Sequence, residues 1–250
     1  MEMRSAALAA GAAGLAVVGL VGASYVSAVS VAVLSGLLCV AAAIGWPHVL
    51  GVPAKKSQSA AIGLSAVLAV TAAASSAGPN YMVWFPAAVA LGVGAVFLIQ
   101  LLRGTGQSLR LESTFGASSG VFAITLGSGW AAADRLTVNS TNSGMMLVTG
   151  ISILAALAVS LLPWPDRLTA PLGLALAVLA GPLGALLFTS VPAVPAAVLG
   201  AVCGAVIVSV RRLLVVRDAP LNALAALSVG LTPVLSVGAI VYFLDKLLFA

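Results

Sequence analysis

The chain has 250 residues, 62% of them hydrophobic and only 7% charged. A soluble domain is about a quarter charged, so eleven Lys+Arg and six Asp+Glu cannot clothe a water-exposed surface of this size. The net charge of +5 does not point to nucleic acid, because no basic run is mixed with aromatics and the cations fall in short clusters between apolar stretches.

About nine apolar stretches follow one another, each long enough to cross a hydrocarbon core of roughly 30 Å. Lipid offers no partner for an unpaired backbone, and the stretches show no strand alternation. The expected fold class is therefore all-α, a polytopic membrane helix bundle. Segment one covers Ser5–Tyr25. It reads as an uncleaved helix, because its apolar run exceeds the ~7–15 residues of a signal peptide and Glu2 spoils the basic start. Segment two covers Ala28–Ile44, and an inner loop His48–Ser59 carries Lys55 and Lys56. Segment three, Ala60–Ala77, ends in the turn Gly78-Pro79-Asn80. Segment four is Val83–Leu102, followed by the connector 103–114. Segment five is expected as one helix over Phe115–Ala133, with a polar outer loop over Asp134–Gly144. Segment six is Met145–Leu162, segment seven Ala170–Phe188, segment eight Val194–Val210 and segment nine Ala223–Phe243.

Arg4, Lys55, Lys56, Arg103, Arg110, Arg167, Arg211, Arg212 and Arg217 land on every second boundary, while Arg135 and Lys246 land on the others. By the positive-inside rule this places the N-terminus in the cytoplasm and the C-terminus outside. The Ala-rich, Lys-poor composition suits a high-GC bacterium, and hence its plasma membrane. Trp46 and Trp164 fall at inner boundaries, and Trp84, Trp130, Tyr25, Tyr81 and Tyr242 near outer ones. Interfacial rings prefer that level. Asn139-Ser140-Thr141 fits a glycosylation sequon on the outer side, but reads as a polar loop.

Several landmarks recur in order. Trp46-Pro47 returns as Trp164-Pro165, Pro86-Ala87-Ala88-Val89 as Pro195-Ala196-Ala197-Val198, and Arg103 as Arg212. This suggests a four-helix unit over 1–102, a cytoplasmic connector 103–114, a second unit over 115–210, and a cytoplasmic loop with an extra ninth helix over 211–250. Parallel repeats of this kind are a transporter device; chance matching in an Ala/Gly/Val-rich chain is the alternative.

The residues that could carry chemistry are few. Asp134, Asp166, Asp218 and Asp245 fall at segment ends or in loops, so no ionisable side chain is expected inside a span and carboxylate-based ion coupling loses support. Ser118, Thr125 and Ser128 share one face of segment five beside Gly120, Gly127 and Gly129. They read as a packing face or as the lining of a substrate path. Thr232, Pro233 and Ser236 in segment nine form the second candidate stretch, because a proline inside a helix frees a carbonyl and interrupted helices build transporter sites. Gly181-Pro182 in segment seven is a weaker candidate of the same kind. Arg103, Arg110, Arg211 and Arg212 could contact an anion or lipid headgroups, or act only as topological anchors. The glycine-rich stretch between Arg103 and Arg110 lacks the Lys-Ser/Thr ending of a phosphate loop. His48 alone leaves no partner set for a metal, Cys39 and Cys203 read as buried thiols, and no cofactor is expected. No Gly-x-Ser-x-Gly elbow, His-Glu-x-x-His or paired carboxylates occur, so enzymatic chemistry is not expected.

These features support a transporter-like protein, of permease or flippase type, for an uncharged, amphipathic or lipid-like molecule. The alternative is a non-catalytic scaffold or accessory subunit of a membrane complex. Expected partners are membrane lipids, and membrane proteins or further copies of the chain; nucleic acid is not among them.

Overall fold

The computed structural model describes residues 3–52, 54–78, 80–103, 109–138, 144–162, 164–215 and 222–249, with the side chains of 3–6, 138, 166, 211–215 and 249 outside that description. The described residues form ten helices: α1 (Met3–Ser24), α2 (Ala28–Leu50), α3 (Lys55–Ser75), α4 (Phe85–Leu102), α5 (Arg110–Thr125), α6 (Ser128–Val138), α7 (Met145–Ser160), α8 (Asp166–Phe188), α9 (Ala193–Val215) and α10 (Ala223–Phe249). Seven of these, α1–α4 and α8–α10, are long and apolar enough to cross a membrane. Among the described residues all regular structure is helical, and the chain has the pattern of a multi-pass membrane protein. α5, α6 and α7 are shorter, at 16, 11 and 16 residues.

Local signals set the helix ends. The Ser27 hydroxyl accepts the Ser30 N–H at 3.1 Å while the Ser30 hydroxyl accepts the Ser27 N–H at 3.1 Å, a capping box at the start of α2. Gly51, at φ 66°, closes the same helix in the left-handed conformation that suits glycine. Pro86 stands in the first turn of α4, where its missing N–H costs nothing. The Asn222 Oδ1 accepts the Ala225 N–H at 2.8 Å and starts α10.

Packing inverts the soluble pattern. Leu15, Leu37, Leu64, Leu101, Leu186 and Phe188 point outward, while Ala13, Ala42, Ala66, Ala117, Ala177 and Ala239 fill the interior. Lipid is as apolar as leucine, so helices gain more from close approach of small residues than from burying large ones. α10 is the hub, packed against α1, α2, α5, α6 and α9. α3, α4 and α5 pack on one flank through α2; α7, α8 and α9 form a mutual three-helix group on the other.

Several expectations change. The ninth segment, expected as an extra helix after two units, is the most enclosed of the spanning helices. Segment five is two helices, broken at Leu126-Gly127, and α5 already begins at Arg110 inside the expected connector. The expected outer loop from Asp134 is helical to Val138, which buries Asp134; Asp245 is likewise buried within α10. The interior is therefore not free of acidic side chains. The candidate break at Pro233 is absent: α10 runs through it, as α8 runs through Pro171 and Pro182. α2 runs on to Leu50, through Trp46, Pro47 and His48. Trp130 is not an interfacial ring but a fully enclosed one, whereas Trp84 and Trp164 are exposed.

Helix contacts do not confirm the duplication. α7 packs on both α8 and α9, but its counterpart α2 packs on α3 without comparable contact to α4. The Asn139-Ser140-Thr141 sequon, Arg217 and Asp218 lie outside the described residues, as do the side chains of Arg211 and Arg212 at the end of α9.

Candidate functional site

The break between α5 and α6 is a tight turn. Gly127 N–H donates to the Ile124 carbonyl at 3.0 Å, Gly129 to Leu126 at 3.0 Å and Trp130 to Gly127 at 3.2 Å, all three residues back rather than four. Such a turn leaves carbonyls under-used, and lipid cannot satisfy them. Neighbouring helices do. The Ser35 hydroxyl on α2 donates to the Gly127 carbonyl at 2.7 Å, and the Cys39 thiol lies 3.4 Å from the Ile124 carbonyl. On α10, the Ser236 hydroxyl reaches the Ala123 carbonyl at 3.3 Å and its own helix at Thr232 at 2.9 Å. Glycine leaves room at 127: a Cβ there would stand 2.6 Å from the Cys39 sulfur and 2.8 Å from a Leu235 methyl, so a side chain would have to move.

Beyond the break, α6 docks on α10. The Trp130 indole N–H donates to the Val234 carbonyl at 2.9 Å, over Gly238. Four residues on, Asp134 shares that helical face. It is 2% exposed and its Oδ2 has no hydrogen-bond partner. Arg135 turns away, donating to the Ala73 and Ala74 carbonyls of α3 at 2.8 and 2.9 Å, and lies 4.3 Å over the Tyr81 ring. Lys246 bonds Asn80 and lies 5.4 Å from the Tyr242 ring.

The structure brings the two predicted path stretches together, since α5, α6 and α10 meet at the break. Their hydroxyls divide into two groups. Thr125 is 3.3 Å from the Ser65 hydroxyl, Thr232 donates to the Ser228 carbonyl at 2.7 Å, and Ser236 bridges as above. Pro233 is buried beside them. Ser118 and Ser128, by contrast, have buried hydroxyl oxygens without partners. Of the predicted anion contacts, Arg103 and Arg110 are half-buried at the facing ends of α4 and α5. Arg110 Nη2 stands 3.5 Å from the Gln100 carbonyl.

Near those arginines lies a polar cluster not anticipated from the sequence. Gln58 on α3 and Gln100 on α4 both turn their side-chain amide nitrogens to the Ser113 hydroxyl on α5, Gln100 at 2.6 Å. All three side chains are buried. A glutamine inside an apolar run is the sequence signal that could have found them. Ser113→Ala is expected to lower stability by about 1–3 kcal/mol, because it strands two buried amides. The triple variant Gln58→Leu, Gln100→Leu, Ser113→Ala removes every partner together and should recover most of that loss. Thermal unfolding in detergent micelles checks both. A triple variant less stable than the single one would show that the cluster holds the helices by more than mutual satisfaction.

Among the described residues no group of three or more His, Cys, Asp or Glu could hold a metal ion. A separate apolar groove of about 640 Å³ lies along α8 and α9, lined by Leu174, Ala201, Val202, Ala205, Val206, Ser209 and Val210. No protein-family model matches this chain, and no curated protein or solved structure matches it either.

Proposed function

We propose that this chain is a membrane transporter of permease or flippase type for an uncharged, amphipathic or lipid-like molecule. The observation that carries this reading is the broken α5–α6 helix docked on the enclosed helix α10. Interrupted helices near the middle of a bundle are where transporters place their sites, because the turn can rearrange while its carbonyls exchange partners. Ser118 and Ser128, on either side of the turn, have buried hydroxyl oxygens still unpaired. The apolar groove on α8 and α9, at about 640 Å³, is of a size that accepts a small-molecule tail. In this reading the clusters of Lys and Arg at alternate helix ends put the N-terminus in the cytoplasm of a bacterium and the C-terminus outside its plasma membrane. Arg103 and Arg110, and the end of α9 that carries Arg211 and Arg212, then lie at the level of the anionic headgroups of the inner leaflet. The bonded hydroxyls of Thr125 and Thr232 favour the competing reading, a scaffold or accessory subunit in which these residues only pack helices.

Reconstitution separates the two. Vesicles carrying the protein and a fluorescent headgroup-labelled phospholipid are treated with an impermeant reductant. Transport of lipid-like molecules predicts that the inner-leaflet label becomes accessible faster than in protein-free vesicles, and that Gly127→Val abolishes the difference. Bleaching at the protein-free rate, with a stable heteromeric complex trapped by cross-linking in native membranes, would establish the accessory-subunit reading instead.

A further inference from the structure

We propose that Asp134 is a proton-binding site, and that its protonation couples to the docking of α6 on α10. Its role in coupling rests on the transport reading above; the existence of the site does not. Asp134 lies within a helix, is almost completely enclosed, and has a carboxylate oxygen with no partner. An ionised carboxylate there holds one oxygen away from water and without a donor, which is costly in a protein interior. A ligand that neutralises it removes the cost.

The surroundings select the proton over a metal. α6 packs against α10, α3 and α2, with lesser contact to α7. From α10, the titratable groups at this end are Tyr242, Asp245 and Lys246; the α3–α4 link adds Tyr81. α3 presents the carbonyls of Ala73 and Ala74, already taken by Arg135. α2 offers Cys39, which sits lower, at the break, and α7 presents Met145 and Met146. A hard cation wants about six oxygens. The carbonyls nearest the break are already engaged by Ser35, Cys39 and Ser236. A single carboxylate with one open oxygen needs only one proton from water, forming a neutral carboxyl group.

Two further features tie the proton to movement. Ser128, at the other end of the same short helix, is also buried with an unpaired hydroxyl. Both orphaned groups ride on α6, the half of the broken helix that hinges at Gly127. Asp245 on α10 is a second buried acid. With Asp134 protonated, α6 lies on α10 without charge. Loss of the proton restores the carboxylate and favours an α6 position that admits water.

The test uses the full chain in lipid nanodiscs and needs no transported molecule. Dicyclohexylcarbodiimide modifies protonated carboxyls in apolar surroundings, and peptide mass mapping locates the adduct. The expected result is labelling of Asp134 well above that of exposed Glu112, falling as pH rises. Infrared difference spectra should show a protonated-carboxyl stretch that disappears in Asp134→Asn. That variant mimics the neutral carboxyl, so it should unfold at or above the wild-type temperature and depend less on pH than the wild type. Labelling of Asp134 no greater than that of Glu112 at acid pH, or a carboxyl band unchanged in Asp134→Asn, would overturn the proposal. If Asp134 labels but the vesicle assay shows no lipid movement, the proton site stands and the transport reading falls. If lipid moves while Asp134 does not label, the reverse holds.

Discussion

Trp130→Ala is expected to destabilise the folded bundle by about 3–5 kcal/mol, the range for removing a large buried aromatic. Trp130 is wholly enclosed and joins α6 to α10 through both its ring and its indole N–H, which donates to the Val234 carbonyl at 2.9 Å. In a bilayer the loss does not come from exposing apolar surface to water, because lipid solvates a ring well. It comes from the void left against Gly238, which has no side chain of its own to fill it, and from the lost hydrogen bond. Trp130→Phe should cost less, since it keeps most of the ring volume and gives up a bond worth about 1 kcal/mol. Denaturant titration in mixed micelles, followed by circular dichroism, measures both. Equal unfolding midpoints for the alanine variant and the wild type would mean that α6 does not depend on this anchor.

What was legible in the sequence was whatever length and local chemistry decide. Of the nine apolar runs, seven match helices long enough to span, with ends off by up to six residues, because a helix that crosses lipid must be long and apolar all round. The outward leucines and inward alanines follow from the same constraint. The break in segment five was not legible. Pro233 and Pro182 looked like stronger interruptions than Gly127, since proline removes a hydrogen bond and glycine does not. In the structure the helices continue through their prolines. The turn forms where Ser35 and Cys39, 92 and 85 residues earlier in the chain, supply donors to its carbonyls. A contact of that sequence separation has no local signature.

Asp134 was misplaced for a related reason. A charged residue after an apolar run reads as the start of a loop, and Arg135 beside it strengthens that reading. The helix continues to Val138 because α3 offers two carbonyls to Arg135 and α10 covers the other face. The central position of α10 was hidden too. Its composition is like that of the other segments, and an apparent repeat of four made it the segment left over.

The last expected result separates close packing from mere small-residue composition. Gly129→Ala should destabilise the bundle by about 3 kcal/mol or more, at or above the usual ceiling for overpacking. A Cβ at 129 would lie inside the contact distance of the Ala239 nitrogen and Cα and of the Gly238 carbonyl carbon. All three are backbone atoms of α10, so no side chain can rotate aside and one helix must shift. The shift would lift Trp130 from Gly238 and disturb the turn at Gly127. Gly11→Ala and Gly94→Ala provide the contrast, because a Cβ at either position meets nothing within 4 Å. There the gain in helix propensity should leave stability unchanged or raise it by up to about 1 kcal/mol. The three variants carry the same chemical change, one added methyl group, so a difference in unfolding midpoint reports the space available at each site. A Gly129→Ala protein as stable as Gly94→Ala would show that α6 and α10 are not held at backbone contact, and the hinge proposed at Gly127 would lose the surface it closes against.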